Sequence, residues 1–278
     1  MRFWKYHGLG NDFILFEERE APKEPEIVRR LCDRHCGIGA DGILYIGESD
    51  RADVSMTIMN SDGSEAEMCG NGIRCLAKHI WDLTGFQNEE MTIETLAGLM
   101  QVKRHAESDS AYQVAVNMGP AIMDCQGIPM ECEGEFIDGE IEIDGRRLRG
   151  TAVSMGNPHF VIFEDMERRE QDQLAPLIES LPLFPHRTNV EFASLTMRGL
   201  MVRVFERGSG WTLACGTGAC AVAVATVVTG RLPHDREIRV TLPGGDLWIT
   251  VPRDLSSVLM RGPAKRVYEG EIDPGDLR

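Results

Sequence analysis

The stretches Cys69-Gly70-Asn71-Gly72 and Cys215-Gly216-Thr217-Gly218 decide how this chain is read. They are nearly the same, and the second lies 146 residues after the first. The same offset relates Gly10-Asn11 to Gly156-Asn157 and Thr95-Leu96-Ala97-Gly98 to Thr241-Leu242-Pro243-Gly244. A further pairing, Met118-Gly119-Pro120-Ala121 with Arg261-Gly262-Pro263-Ala264, is slipped by about three residues. So long a period signifies two copies of one domain, not a solenoid of short repeats.

Around each cysteine the local patterns recur in the same order. In the first half, Arg2 to Tyr6 and Phe13 to Phe16 flank a turn, which predicts a hairpin. Helical spacing follows over Glu26 to Arg34, then strand-like runs at 43–46 and 54–59, a helix over Gly72 to Leu83, and strands at 91–94, 99–104 and 112–116. The second half predicts strands at 152–155, 160–163, 189–195 and 201–206, and helices over 171–180 and 216–228. The last helix is apolar on every side, so it belongs at the centre of its domain. An acidic, strand-like segment from Ile122 to Gly150, with turns at Asp138-Gly139 and Asp144-Gly145, joins the copies. The expected fold is α+β: two pseudo-symmetric domains, each a curved, mostly antiparallel sheet or barrel around a central helix, with the site in the cleft between them. The boundaries read as 1–121, completed by a C-terminal strand at about 262–278, and 122–261.

Composition narrows the function. With 278 residues, 42% hydrophobic and 26% charged, the chain has material for two globular cores. A net charge of −15 disfavours nucleic acid as a partner. No apolar run reaches the length of a membrane span, and residues 1–8 lack the features of a signal peptide, so a cytoplasmic protein is expected. In that compartment the eight cysteines are expected as thiols. Cys32-x3-Cys36, Cys69-x5-Cys75 and Cys215-x4-Cys220 do not have the spacing of a zinc knuckle, and no metal site is expected.

A cysteine at a helix start has chemical consequences. Unpaired N–H groups and the positive end of the helix dipole favour a thiolate, and the following glycines let a carboxylate approach the same N–H groups. One corner of this kind suits a nucleophile, a redox thiol or a structural cysteine. Two in register suggest a pair of acid/base groups on opposite faces of a Cα–H, one taking the α-proton and the other delivering one. Cys75 and Cys220 fall further into the helices and read as core thiols, while Cys125 and Cys132 show no chemical role. Asn11 and Asn157 form a symmetric pair at turns. Asn60 and Glu206 form another, each nine residues before its cysteine. Glu206-Arg207 could hold an ammonium and a carboxylate, and His159 could tune a nearby thiol.

The segments Gly8-Leu9-Gly10-Asn11-Asp12-Phe13, Asn60-Ser61-Asp62-Gly63-Ser64, Met68 to Cys75, Gly156-Asn157-Pro158-His159, Arg187-Thr188-Asn189-Val190 and Glu206 to Gly210 running into Ala214 to Cys220 together resemble the diaminopimelate epimerase family. The resemblance implies a cofactor-independent isomerase of lysine and peptidoglycan precursor synthesis, with a small amino-acid substrate and a homodimeric assembly. It implies Cys69 and Cys215 as the acid/base pair, with His159 and Glu206 tuning the thiols. Asn11, Asn60, Asn157, Asn189, Glu206 and Arg207 would bind the two amino-acid ends of the substrate. The backbone of Gly70-Asn71 and Gly216-Thr217 would hold the α-carboxylate, and the final strand would complete the first domain. Gly42 and Trp211 depart from the family pattern, standing where many members carry a glutamine and a glutamate. The alternatives are a proline-racemase-like enzyme, whose first motif usually reads C-G-H-G where Asn71 stands here, or a thiol redox or metal-binding protein.

Overall fold

The computed structural model describes residues 1–17, 21–106, 112–273 and 275. It divides into two compact units, Met1–Asn117 with Arg261–Arg278, and Met118–Met260. The strand expected at about 262–278 therefore lies partly outside the described residues.

The first unit opens with a hairpin of β1 (Arg2–Gly8) and β2 (Asn11–Phe16). Its two-residue turn places Leu9 at φ 58° and Gly10 at φ 87°. Positive φ at both central positions is the geometry whose twist matches that of paired strands. Helix α1 (Pro25–Cys32) then crosses to β3 (Gly42–Gly47), which lies parallel to β2. The antiparallel strand β4 (Val54–Asn60) and the short β5 (Glu65–Ala66) lead into helix α2 (Gly70–Leu83). After α2, β6 (Glu90–Thr95) lies parallel to β4, and β7 (Gly98–Ala106) and β8 (Tyr112–Asn117) continue as a meander.

The second unit starts with a hairpin, β9 (Gly139–Ile143) and β10 (Arg146–Ser154), turning at Asp144-Gly145 with φ 50° and 76°. From β10 onward the first unit's plan is repeated. The strand β11 (Pro158–Ile162) pairs with β10, and α3 (Arg168–Glu179) crosses to β12 (Asn189–Thr196), which lies parallel to β11. Then come β13 (Gly199–Glu206), β14 (Gly210–Thr212), α4 (Gly216–Val228), and the pair β15 (Glu237–Leu242) and β16 (Gly245–Thr250). After a short strand, β17 (Leu259–Gly262), β18 (Lys265–Glu271) pairs antiparallel with β1. The backbone N–H of Ile272 extends this pairing to the carbonyl of Met1 at 2.9 Å.

Each unit is thus mixed α+β, with antiparallel hairpins and parallel crossovers around a long helix. In α4 the small side chains Ala219, Ala221, Ala223 and Ala225 alternate with Val222 and Val224, all fully buried. The helix α2 is less uniform, burying Arg74 and His79 among Ile73, Leu76 and Ala77.

The expectation that all cysteines are thiols is corrected in one place: Cys125 and Cys132 form a disulfide, with Cα atoms 5.7 Å apart. The chain turns back on itself here, since Met130 N–H donates to the Cys125 carbonyl and Cys125 N–H to that of Gly134. That fold-back brings the Cα atoms within bridging range, which compartment-based reasoning does not consider. Cys125 is fully buried, packed with Ile128 and Met130.

Candidate active site

Both motif cysteines are helix N-caps. Cys69 precedes α2 in an extended conformation (φ −139°, ψ 118°), and its sulfur accepts the N–H of Gly72 at 3.4 Å. Cys215 precedes α4 likewise (φ −118°, ψ 116°), accepting from Gly218 N–H at 3.3 Å. Each sulfur takes the place of the oxygen that Ser or Asp provides at an ordinary N-cap. The third residue of each helix is glycine because there is little room for more. A Cβ on Gly72 would lie 3.0 Å from the Leu44 side chain, and one on Gly218 would lie 2.9 Å from Oε1 of Glu191.

In the first unit the polar set is Asn11, Cys69 and Asn71. The Cys69 thiol donates to Asn11 Oδ1 at 3.7 Å, and Asn71 Nδ2 donates to the same oxygen at 3.1 Å. Asn11 is held from the other end, where its Nδ2 donates to Asp41 at 2.9 Å. Arg34 bridges Asp41 and Asp12, and Lys5 pairs with Asp12 at 2.5 Å. Although burial works to raise Asp12, hydrogen bonds from Arg34 and Lys5 outweigh it and hold this carboxyl at about 2. Beneath the corner, fully buried Arg74 donates to Gly70 O at 2.9 Å and Asn71 Oδ1 at 2.8 Å. Asn60, at the end of β4, donates its amide to Ser64 Oγ at 3.0 Å within a turn.

The second unit uses different partners. Cys215 lies 3.4 Å from the Thr217 hydroxyl. Fully buried His159 places Nδ1 2.7 Å from Glu191 Oε1 and Nε2 3.0 Å from Asn157 Oδ1. Asn189 donates to the Pro158 carbonyl at 2.8 Å and accepts the backbone N–H of Arg207 at 2.9 Å, which fixes the corner after β13. The Arg207 guanidinium donates to His186 O at 2.9 Å, and Glu206 accepts from Thr212 Oγ1 at 2.5 Å.

The electrostatics of the Cys215 corner overturn a simple reading of its helix terminus. Burial first, and then the Glu206 carboxylate, push the Cys215 thiol well above its ordinary value. The Thr217 hydroxyl and Gly218 N–H pull the other way without prevailing. A helix end lowers a thiol's pKa only where desolvation is mild, and this sulfur is buried beside the Glu206 carboxylate. At neutral pH, Cys215 carries its proton.

The residue that sequence reasoning missed is Glu191, fully buried and hydrogen-bonded to His159. Its signal is a lone carboxylate in the otherwise apolar run Val190 to Ala193. The two departures from the family pattern also find physical reasons. A Cβ on Gly42 would sit 2.7 Å from the Met59 carbonyl oxygen, so this backbone leaves no space for a longer side chain. Trp211 packs edge-on against Phe205, with ring centroids 5.3 Å apart, and lies under the Arg203 guanidinium at 3.9 Å. There it is half-buried and packs against the hydrophobic core of the second unit.

Two repeats of one topology, each with a cysteine capping its central helix, define the class of fold. Similar structures include a phenazine biosynthesis protein of Bacillus anthracis (TM-score 0.72, 15% identity, 98% of each chain covered). A hydroxyproline epimerase from Agrobacterium vitis is also similar (TM-score 0.70, 13% identity, 99% of this chain and 93% of that one). At such identities the likeness is one of fold. Sequence is more specific: the diaminopimelate epimerase family model matches residues 3–123 and 151–267. The diaminopimelate epimerase of Pelotomaculum thermopropionicum is 47% identical over 278 residues, covering 98% of each chain. That of Desulfitobacterium hafniense is 45% identical over 280 residues, again with 98% of each covered. The chain belongs to the diaminopimelate epimerase family, and it is an isomerase.

Proposed function

We propose that this chain converts LL-diaminopimelate to the meso isomer without a cofactor, using Cys69 and Cys215 as its two acid/base groups. The observation that carries the reading is that both cysteines cap a helix through the same sulfur-to-third-N–H contact, at equivalent places in the repeat. One sulfur, as thiolate, takes the α-proton, and the other, as thiol, delivers a proton to the opposite face. Each sulfur ends in the state the other began in, so no proton is gained or lost over the pair. The α-proton is weakly acidic, and the carbanion-like state needs fixed dipoles in place of water. In this reading the helix N–H groups at Gly70-Asn71 and Gly216-Thr217 receive the α-carboxylate. Asn11, Asn60, Asn157, Asn189, Glu206 and Arg207 bind the two amino-acid ends, and His159 and Glu206 set the proton state of the thiols. The protonated state of Cys215 suits it to act as donor on first encounter with substrate. The working form is a cytoplasmic homodimer.

Proton NMR of the reduced protein with LL-diaminopimelate in heavy water tests the reading. Loss of the α-proton signal with growth of the meso isomer, without added pyridoxal phosphate, is the expected result. No exchange by folded, reduced protein would overturn the substrate assignment, and proline would be the next substrate tried.

A further inference from the structure

We propose that Glu191 is a positioning residue: as a neutral carboxyl it donates a hydrogen bond to His159 Nδ1, so that His159 donates from Nε2 to Asn157 Oδ1 and leaves the Asn157 NH2 for a substrate carboxylate. The substrate's part in this inference rests on the function proposed above.

The geometry forms a continuous line. Glu191 Oε1 is 2.7 Å from Nδ1, and Nε2 is 3.0 Å from Asn157 Oδ1. Parallel pairing of β11 and β12 sets His159 beside Asn189, and Glu191, two residues further along β12, shares the Asn189 face. His159 and Glu191 are both fully buried, so water does not compete for either bond.

The other carboxyl oxygen decides the direction of the bonds. Glu191 Oε2 is buried with no hydrogen-bond partner. An ionised carboxylate would leave a charged oxygen unsolvated there, at a large cost, whereas the carbonyl-like oxygen of a neutral carboxyl is a far weaker acceptor. Burial likewise favours the protonated carboxyl, with His159 opposing it in part. If the proton sits on Oε1, Nδ1 must accept it, and the neutral imidazole then carries its own proton on Nε2. Asn157 meets Nε2 with its oxygen, the orientation this tautomer requires. A Cβ on Gly218 would lie 2.9 Å from Glu191 Oε1 and 3.3 Å from the Cys215 sulfur, so the carboxyl and the thiol flank the same first turn of α4.

Two variants separate hydrogen bonding from mere space filling. Glu191→Gln keeps a donor for Nδ1 and a carbonyl in place of Oε2, while Glu191→Leu keeps only bulk. Long-range proton–nitrogen spectra of histidine-labelled protein at neutral pH report the imidazole tautomer, with the His159 signals identified by their loss in His159→Gln. The expected result is a neutral Nε2–H tautomer in the native protein and in Glu191→Gln, and a mixed or shifted tautomer in Glu191→Leu. In parallel, Glu191→Gln should retain at least about a third of native kcat/KM, while Glu191→Leu should lose about tenfold, with a raised KM. An imidazolium or an Nδ1–H tautomer in the native protein would overturn the inference. So would a folded Glu191→Leu with unchanged His159 signals, or a Glu191→Gln as impaired as the leucine variant. If Glu191→Leu fails to fold, the native and glutamine spectra still decide. The spectra need no substrate, so failure of the proposed epimerisation and failure of the relay are separate results.

Discussion

The two cysteine corners share a backbone and differ in charge. Around Cys69 the buried ionic group is a cation, Arg74, which holds Gly70 and Asn71 from below. The equivalent place in the second repeat is Cys220, fully buried in α4. Around Cys215 the buried ionisable group is Glu191, joined to His159, and the first repeat has the apolar Phe13 at the position equivalent to His159. Duplication supplied one capping geometry twice. The side chains beneath it then diverged, so each copy presents its sulfur in a different field.

The largest effect expected is from the sulfurs themselves. Cys69→Ser and Cys215→Ser should each reduce inversion by about 10²- to 10⁴-fold, the usual range for losing a positioned acid or base. Isomer analysis of the product reads this directly, and a single variant with near-native rates would break the idea of equivalent partners. Next comes the buried cation. Arg74→Met removes the donor from three carbonyl-type acceptors, Gly70 O, Asn71 Oδ1 and Pro263 O, and should cost about 3 kcal/mol. Cys220→Ala, at the matching position, should cost about 1 kcal/mol. Urea unfolding of the two variants checks the contrast, which equal costs would erase. A smaller loss, about 2 kcal/mol, is expected when the Cys125–Cys132 bridge is removed as Cys125→Ala with Cys132→Ser, because the short loop it closes gains freedom in the unfolded chain. Amide exchange should place that loss in the second unit.

The smallest expected effect concerns pH, and its sign differs between the corners. Asp12 has a lowered pKa in the fold, so it adds stability above the ordinary carboxylate range, and this is lost as pH falls from near 4 through about 2. Glu191 and Cys215 have raised values, so their contributions are complete at low pH and decline as pH rises. Acid should therefore speed amide exchange around Asn11 and Asp12 before it does so around His159. The reverse order would show that the Lys5 and Arg34 network does not hold the first corner.

Much of this was legible in the sequence because a repeat checks itself. A lone Cys-Gly-x-Gly fits many roles, but two at one offset, each followed by a helical pattern, fix the order of elements in both units. What lay out of reach depends on surroundings. The shift of Cys215 comes from desolvation first and then from the Glu206 carboxylate at the end of β13, and spacing along α4 carries no trace of either. Glu191 could have been noticed as a charge in an apolar strand, but its partner is on another strand, and only the parallel register joins them. The disulfide escaped for a similar reason, since it depends on a local fold-back with no regular pattern.

The pairing of β18 with β1 has a bearing on synthesis. The first unit needs residues from both extremes of the described chain, whereas the second is drawn from the single stretch Met118–Met260. A ribosome therefore releases all the parts of the second unit before the final strand of the first emerges. Domains commonly fold as they appear. Here the half that is translated first must wait, with one edge of β1 uncovered, for the half that follows it. A premature stop near residue 264 would thus damage the N-terminal unit and leave the later-made one whole.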